Sequence, residues 1–246
     1  MLESQQQIAE LELHEGPAIY GLGWGDPQEH PALREVLDGW LLPNVTPETV
    51  ALEIGSGGGR WTRFLNPCKL IYSVDGSPKS EQLVREAFAT SREYFLDKEA
   101  DKLEAIDPHE SLATLQRALS TVAKMMRIAR GRRLCENVRF IVSDGKLPIP
   151  SGSVDYVFSF DTFVHFEREL FDAYLSEIAR VLKPGGVLHL HYAVPLGERS
   201  ERFCYRDPLE VDGQLMRIGF GAPKRRKLFK EGWGAVLVEY QRASKS

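Results

Sequence analysis

The sequence has few of the features that mark specialised protein classes. It contains three cysteines among 246 residues, Cys68, Cys135 and Cys204, and these form no CxxC pair or Cys/His cluster. A disulfide framework and a zinc site are therefore not expected, and reduced thiols are the default. No apolar run is long enough to cross a bilayer, and the first residues lack the basic and apolar regions of a secretory signal. These absences favour a cytoplasmic protein without a membrane partner.

An excess of positive charge is also missing. The formal net charge is −4, from 31 basic and 35 acidic residues, so the chain as a whole does not attract nucleic acid or anionic membranes. Hydrophobic residues at 43% and charged residues at 27% are typical of an ordinary globular enzyme. The length predicts a single α/β domain over residues 1–246 that carries additional segments.

The chain is organised around the stretch VALEIGSGGGRW, which runs from Val50 to Trp61. A short apolar run ends in Glu53-Ile54, and a cluster of glycines then leads into an amphipathic segment, which predicts a strand, a tight turn and a helix start. Glycines permit a sharp turn and the close approach of a ligand, and the free N–H groups of a helix start face that ligand. An ordinary glycine-rich turn is the alternative interpretation.

Two nucleotide-binding motifs are not completed here. The dinucleotide fingerprint requires a third glycine where Arg60 stands when the count begins at Gly55, and counting from Gly57 gives no better match. A phosphate-binding P-loop requires Gly-Lys-Ser/Thr, which does not follow these glycines. Both phosphate interpretations are therefore disfavoured.

The pattern that fits is a strand ending in an acidic residue, followed by Gly-x-Gly-x-Gly. Over about residues 48–193 the sequence resembles the class I S-adenosylmethionine (SAM)-dependent methyltransferases, and the residues of this stretch that carry the resemblance are Glu53, Gly55, Ser56, Gly57 and Gly59. The resemblance implies that the glycine turn passes under the methionine and ribose parts of SAM. It also implies that Glu53 contacts the amino acid end, where a carboxylate suits a cationic ligand with a free ammonium.

A second acidic residue ends the next predicted strand. The apolar run Leu70–Asp75 places Asp75 about twenty positions beyond the glycines, where a carboxylate of an α/β cofactor fold accepts hydrogen bonds from ribose hydroxyls. Asp75 is the expected ribose ligand, with Gly76 and Ser77 completing this part of the cofactor site. The alternative role of a helix cap is already filled by Ser77, ahead of Pro78.

A third carboxylate, Asp144, follows the predicted strand Val138–Val142. The resemblance implies that Asp144 binds the exocyclic amine of adenine and that the N–H of Gly145 meets a ring nitrogen, although Asp-Gly is also a favoured turn pair. Phe160, at the end of the next apolar run, is assigned to the same cofactor set. Three carboxylates at three successive strand ends are the main evidence for a SAM site.

The crossover between the second and third predicted strands is too long for one helix. The third strand begins about sixty residues after Asp75, whereas a βαβ unit needs little more than about thirty, so we expect a helical insertion over residues 97–135. Its apolar stripe runs from Leu112 to Ala129 at helical spacings. Packing on its own domain is the default, and a lid or a homodimer contact are the alternatives. Its basic end complements the helix dipole or, alternatively, binds an anion.

The two ends of the chain complete the expected fold. Residues 1–47 form an N-terminal extension or cap, in which Tyr20 and Trp24 are predicted to line the substrate pocket; Trp24 filling the edge of the core is an equal alternative. A helix after His165 is expected to stop at Lys183–Gly186, before a fifth strand, and residues 225–240 predict a hairpin. The resemblance implies a Rossmann-like, doubly wound, seven-stranded and mostly parallel sheet with a C-terminal antiparallel hairpin, to which this chain adds an inserted helix.

Candidate catalytic residues follow the fourth and fifth predicted strands, because ligands of open α/β sheets bind outside the carboxyl ends of strands. Spaced by four at a helix start, Asp161 can orient the imidazole of His165, which can take the acceptor proton; capping and packing roles are the alternative. His191 is predicted to reach the substrate, with a buried structural role as the alternative. No metal site is expected, since a hard cation usually requires a second carboxylate and none is evident near Asp161; magnesium-assisted O-methylation with Asp161 as a ligand stays open as an alternative.

The acceptor is constrained mainly by exclusion. The Asn/Asp-Pro-Pro-Tyr motif of enzymes that methylate exocyclic amines of nucleic acids is replaced by Phe160-Asp161-Thr162-Phe163. We therefore expect a SAM-dependent methyltransferase that acts on the oxygen, or with less support the nitrogen, of a small-molecule acceptor such as a sugar or natural-product intermediate. A protein or peptide methyltransferase and a non-catalytic SAM-binding scaffold stay open as alternatives.

Overall fold

The computed structural model describes residues 25–89, 136–196, 199–229 and 234–244, together with Leu22, Leu119 and Val122. The predictions for Tyr20 and Trp24, and most of the predicted insertion, lie outside these residues. Leu119 and Val122, which belong to the predicted stripe of the inserted helix, are helical and exposed.

Seven strands form one sheet in the order β3-β2-β1-β4-β5-β7-β6. They are β1 (Val50–Ile54), β2 (Leu70–Asp75), β3 (Val138–Val142), β4 (Val154–Ser159), β5 (Leu182–Ala193), β6 (Arg225–Phe229) and β7 (Ala235–Gln241). The first five pair in parallel, and β7 lies antiparallel between β5 and β6. The predicted Rossmann-like sheet and its C-terminal antiparallel hairpin are confirmed.

Helices cover both faces of the sheet. They are α1 (Pro31–Val36), α2 (Thr62–Leu65), α3 (residues 79–89), α4 (Arg168–Val181) and α5 (Pro208–Arg217), with a π turn at Leu37–Leu41 and 3-10 turns at Leu42–Asn44 and Phe163–His165. One core cluster joins α4 and α5 to the sheet, and a second joins α1, the π turn, α2 and α3 to the opposite face. The central strands β1, β2 and β4 are nearly apolar along their length because both of their faces are buried, whereas the edge strand β6 is basic and largely exposed.

The end of α4 differs from the sequence prediction. The helix ends at Val181 and β5 begins at Leu182, so the residues 183–186 expected to form the helix stop are already extended. Pro184 disfavours a helical conformation at Lys183. The N–H of Gly185 donates to the Arg242 carbonyl, and the Arg242 N–H donates to the Gly186 carbonyl. These pairings extend the strand toward its N-terminal end.

The segment containing α1 and the π turn is fixed to the C-terminal hairpin by Arg225. Its guanidinium lies 4.0 Å from the centroid of the Trp40 ring, donates to the Gly39 carbonyl and pairs with Glu239 at 2.6 Å. Glu239 also accepts from Nε2 of buried His189, and this hydrogen bond, with Arg225, lowers the pKa of Glu239 to about 2. The other His189 nitrogen lies 2.9 Å from the Tyr156 hydroxyl, so His189 has a structural role.

Candidate active site

The glycine loop, defined here as residues 55–60, turns sharply at the carboxyl end of β1. The N–H groups of Gly55 and Ser56 both point to the Val74 carbonyl of β2, at 2.7 and 3.2 Å. Gly55, Gly57 and Gly59 have φ angles of 81°, 50° and 91°, a left-handed region that side chains strain. The glycines therefore provide a turn that no other residue forms without strain.

Asp75 fixes the loop from the end of β2. Its Oδ2 accepts the N–H of Gly57 at 2.8 Å, and its Oδ1 accepts the N–H of Ser77 at 2.9 Å. Burial raises the pKa of Asp75 although these backbone donors oppose the shift. The Ser77 hydroxyl accepts the Lys79 N–H and so caps α3, as predicted. A carboxylate has about four lone-pair sites, so Asp75 can accept from a hydroxyl donor in addition to its backbone donors.

Glu53 is the most deeply buried acid of the site. Its Oε2 accepts the Thr62 hydroxyl at 2.6 Å, whereas within the described residues its Oε1 has no hydrogen-bond partner. Burial raises the pKa of Glu53 to about 8. An unsatisfied carboxyl oxygen in a buried position favours a ligand that brings a hydrogen-bond donor or a positive charge.

The two sides of the glycine loop differ in the space they leave. Among the described residues, a Cβ built on Gly57 or Gly76 meets no atom within 4 Å, whereas one built on Gly55 would lie 1.7 Å from the Thr162 hydroxyl oxygen. The side at Gly57 is therefore open and the side at Gly55 is filled. Together with the Glu53 oxygen and the Asp75 lone pairs, this open side fits the amino acid and ribose parts of SAM.

The two residues predicted to meet adenine lie at the end of β3. Asp144 is exposed, and the Gly145 N–H donates to the Ser143 hydroxyl at 3.1 Å. Tyr174 of α4 holds the same turn by donating to the Ser143 carbonyl. Phe160 is the last predicted cofactor contact along the chain. It is buried, and its ring stacks in parallel on the His191 ring, with centroids 4.1 Å apart.

Asp161 does not begin a helix. Its φ angle of 59° makes it the one non-glycine residue with positive φ among the described residues, so the expected spacing of Asp161 and His165 on one helical turn is wrong. Its carboxylate Oδ2 lies 2.6 Å from Nη2 of Arg60, at the end of the glycine loop. Its N–H donates to Nδ1 of His191 at 3.1 Å.

These contacts define the protonation of His191. A backbone N–H can only donate, so Nδ1 accepts and the neutral ring carries its proton on Nε2. Burial lowers the pKa of His191 to about 4. The approach of Nδ1 to Oδ1 of Asp161, at 3.3 Å, is therefore not an ion pair at neutral pH.

His165 has the opposite tautomer. Its Nδ1 lies 3.1 Å from the Arg202 carbonyl oxygen, which can only accept, so Nδ1 carries the proton and Nε2 is the basic nitrogen. The half-buried ring also lies against Phe203, with centroids 5.2 Å apart. The segment with Arg202 and Phe203 is tied to the 3-10 turn because the Cys204 N–H donates to the Val164 carbonyl.

Four residues that hold these groups in place were not predicted from the sequence. They are Arg60, Thr62, Ser80 and Thr162, which contact Asp161, Glu53, the Gly57 carbonyl and Gly55 respectively. Thr62 is the first residue of α2, three positions after Gly59. From there its hydroxyl reaches Glu53 near the end of β1. Arg60 and Thr162 carry no such signal, because their partners are distant in sequence.

Two further observations concern the described residues only. In those parts of the chain, no three His, Cys, Asp or Glu side chains come close enough to hold a metal ion. In the same residues, no helix has the length and apolar character needed to span a membrane.

Comparison with known proteins supports this description. Residues 114–190 match the family model described as a methyltransferase domain, and no curated protein matches the sequence. The fold is similar to the DhpI complex with S-adenosylhomocysteine (SAH), with 16% identity, a TM-score of 0.58 and coverage of 100% of this chain and 98% of that chain. It is also similar to the N-methyltransferase NodS from Bradyrhizobium japonicum WM9 in complex with SAH, with 15% identity, a TM-score of 0.58 and coverage of 97% and 98%.

A protein described as a cyclase has a similar fold. The [4+2]-cyclase SpnF is 16% identical, with a TM-score of 0.58 and coverage of 98% of this chain and 96% of that chain. The fold and the glycine-rich strand end define a Rossmann-like protein of the methyltransferase type. The match to the methyltransferase domain model covers residues 114–190, and the fold is similar to that of the NodS N-methyltransferase.

Proposed function

We propose that this enzyme transfers the methyl group of SAM to an oxygen, or less favourably a nitrogen, of a small-molecule acceptor such as a sugar or natural-product intermediate. The observation that carries the proposal is the pairing of a cofactor cradle with a basic histidine at the same edge of the sheet. Glu53, Gly57 and Asp75 would hold the cofactor, and His165 and Asp161 follow the neighbouring strand β4.

The chemistry divides between cofactor and protein. Bound SAM supplies an electrophilic methyl group on a sulfonium. The protein holds the acceptor in line with that group, which contributes about 7–11 kcal/mol when the geometry is good. A hydroxyl acceptor also needs to lose a proton, and the tautomer of His165 leaves its Nε2 as the proton-accepting atom.

Electrostatics favours a small acceptor over nucleic acid. The net charge is −4, and within the described hairpin the basic side chains Arg225, Arg226 and Lys227 are each paired with an acid, Glu239, Asp212 and Glu35 respectively. These pairs neutralise the basic strand β6, so it does not present the unpaired positive charge that a phosphate backbone requires.

The test is transfer of labelled methyl from SAM to fractionated small-molecule extracts and to panels of sugars and phenols. Asp75→Ala is the matched inactive control, because it removes the acceptor of the Gly57 N–H and the expected ribose ligand. Label in a small-molecule fraction that disappears with Asp75→Ala supports the proposal. Label in protein or nucleic acid alone, or in no fraction, contradicts it.

A further inference from the structure

The turn after β4 contacts the glycine loop at both of its ends. Asp161 pairs with Arg60, at the last position of the loop. The next residue, Thr162, lies directly over Gly55, where a Cβ would be 1.7 Å from its hydroxyl oxygen. Two consecutive residues of one turn therefore fix the two ends of the loop that would carry the cofactor.

This turn has a conformation that needs support. Asp161 is left-handed, with φ of 59°, which is costly for a residue with a Cβ, although Asn and Asp tolerate it best. A shift of Asp161 to a common backbone conformation would redirect its carboxylate away from Arg60 and displace Thr162 from Gly55. The support comes from β5, where buried His191 accepts the Asp161 N–H at 3.1 Å and stacks on Phe160.

We propose that His191 is a positioning residue, which holds Asp161 in its left-handed conformation and thereby preorganises the glycine loop for the cofactor. The proposal rests on the proposed use of SAM. It assigns His191 a role other than the predicted contact with substrate. Because Nδ1 is occupied by the Asp161 N–H and Nε2 carries the proton, His191 does not take the acceptor's proton.

Two substitutions separate the hydrogen bond from the ring. His191→Asn keeps an acceptor oxygen close to the position of Nδ1 but removes the ring, whereas His191→Phe keeps a ring on Phe160 but removes the acceptor. The probe is SAH, whose affinity is measured by calorimetry. We expect the SAH affinity of His191→Asn to stay within about threefold of the wild-type value. His191→Phe should bind SAH about tenfold more weakly, because the buried Asp161 N–H loses its acceptor and the glycine loop must then become ordered on binding.

Equal affinities for wild type and both variants would overturn the proposal. Weaker binding by His191→Asn than by His191→Phe would also overturn it, since the ring would then be the important feature, as would equal weakening of both, since the retained acceptor would then have no effect. A second measurement does not depend on the variants folding. Nitrogen NMR shifts of His191 in the wild-type protein should report a neutral ring protonated at Nε2 from about pH 8 to about pH 5. An Nδ1–H tautomer, or a cationic ring at neutral pH, would overturn the assignment.

The use of SAM and the positioning role of His191 are tested by different results. If the wild-type protein does not bind SAH, the proposed cofactor use is wrong, while the tautomer of His191 is still measurable. If the wild type binds SAH but the two substitutions do not differ as described, the cofactor use holds and the positioning role is wrong.

Discussion

Arg60 and Asp161 form an ion pair, with Nη2 and Oδ2 separated by 2.6 Å, that joins the glycine loop to the turn after β4. The Arg60 side chain is 10% exposed and the Asp161 side chain 37% exposed. The expected contribution of this pair to stability is therefore intermediate. A surface ion pair contributes little, whereas the disruption of a buried pair is costly. It is one of the direct contacts between the glycine loop and the turn that carries the predicted catalytic residue Asp161.

The first prediction concerns the charge of this pair. Asp161→Asn keeps a residue that tolerates the left-handed conformation and removes the negative charge. We expect a loss of about 1–3 kcal/mol in the free energy of unfolding, measured with denaturant, and weaker SAH binding. The control is Glu210→Gln, which breaks the exposed pair with Arg168 and should leave the free energy of unfolding almost unchanged. Equal effects of the two substitutions would contradict this assignment.

The second prediction distinguishes the strain that a side chain causes at a left-handed residue from the loss of the space that SAH would occupy. Gly57 and Gly152 have similar φ angles, 50° and 59°, and in the parts of the chain that the structure describes a Cβ on either meets no atom within 4 Å. Alanine at each should therefore cost about 1–2 kcal/mol of stability. Only Gly57→Ala should abolish SAH binding, because its Cβ would fill the open side of the glycine loop. Normal SAH affinity in Gly57→Ala would show that the cofactor lies elsewhere.

Most of the fold was predictable because it depends on local patterns. The buried strands are continuous apolar runs, a glycine separates the two strands of the hairpin, and Asp75 lies at the end of a strand. The contacts that fix the active edge were not predictable. Asp161 was expected at a helix start because the pattern from Phe166 onward is helical, but the hydrogen bond from its N–H to His191 and the pair with Arg60 stabilise a left-handed residue instead. Contacts between residues about 30 and 100 positions apart leave no local pattern.

The third prediction follows from the pKa of Glu53. Burial raises that pKa from about 4.5 to about 8, so between these values the folded protein binds a proton that the unfolded chain has released. Stability should therefore fall as the pH rises from about 4.5 to about 8, by an amount of the order of a few kcal/mol. Glu53→Gln should remove this dependence. Denaturant unfolding of both proteins across this pH range checks it, and identical pH profiles would show that Glu53 is ionised in the folded state.

The same group couples cofactor binding to proton release. If the ammonium of SAM approaches the Oε1 atom of Glu53, the carboxylate form becomes favoured, and a proton leaves at neutral pH. Calorimetric binding enthalpies should then vary with the ionisation enthalpy of the buffer in the wild-type protein and not in Glu53→Gln. Absence of buffer dependence in the wild type would place the ammonium away from Glu53.

The last prediction tests the proton-accepting role of His165. His165→Asn keeps an N–H donor for the Arg202 carbonyl, close to the position of Nδ1, and removes the basic nitrogen. For an acceptor identified in the labelled-methyl screen, we expect turnover to fall by about 10²–10⁴-fold while the SAH affinity stays within about twofold of the wild-type value. His30→Asn, at an exposed position before α1, is the control and should leave both quantities unchanged. Full turnover in His165→Asn would remove this residue from the chemical step, and Asp161 would then be the remaining candidate at this edge of the sheet.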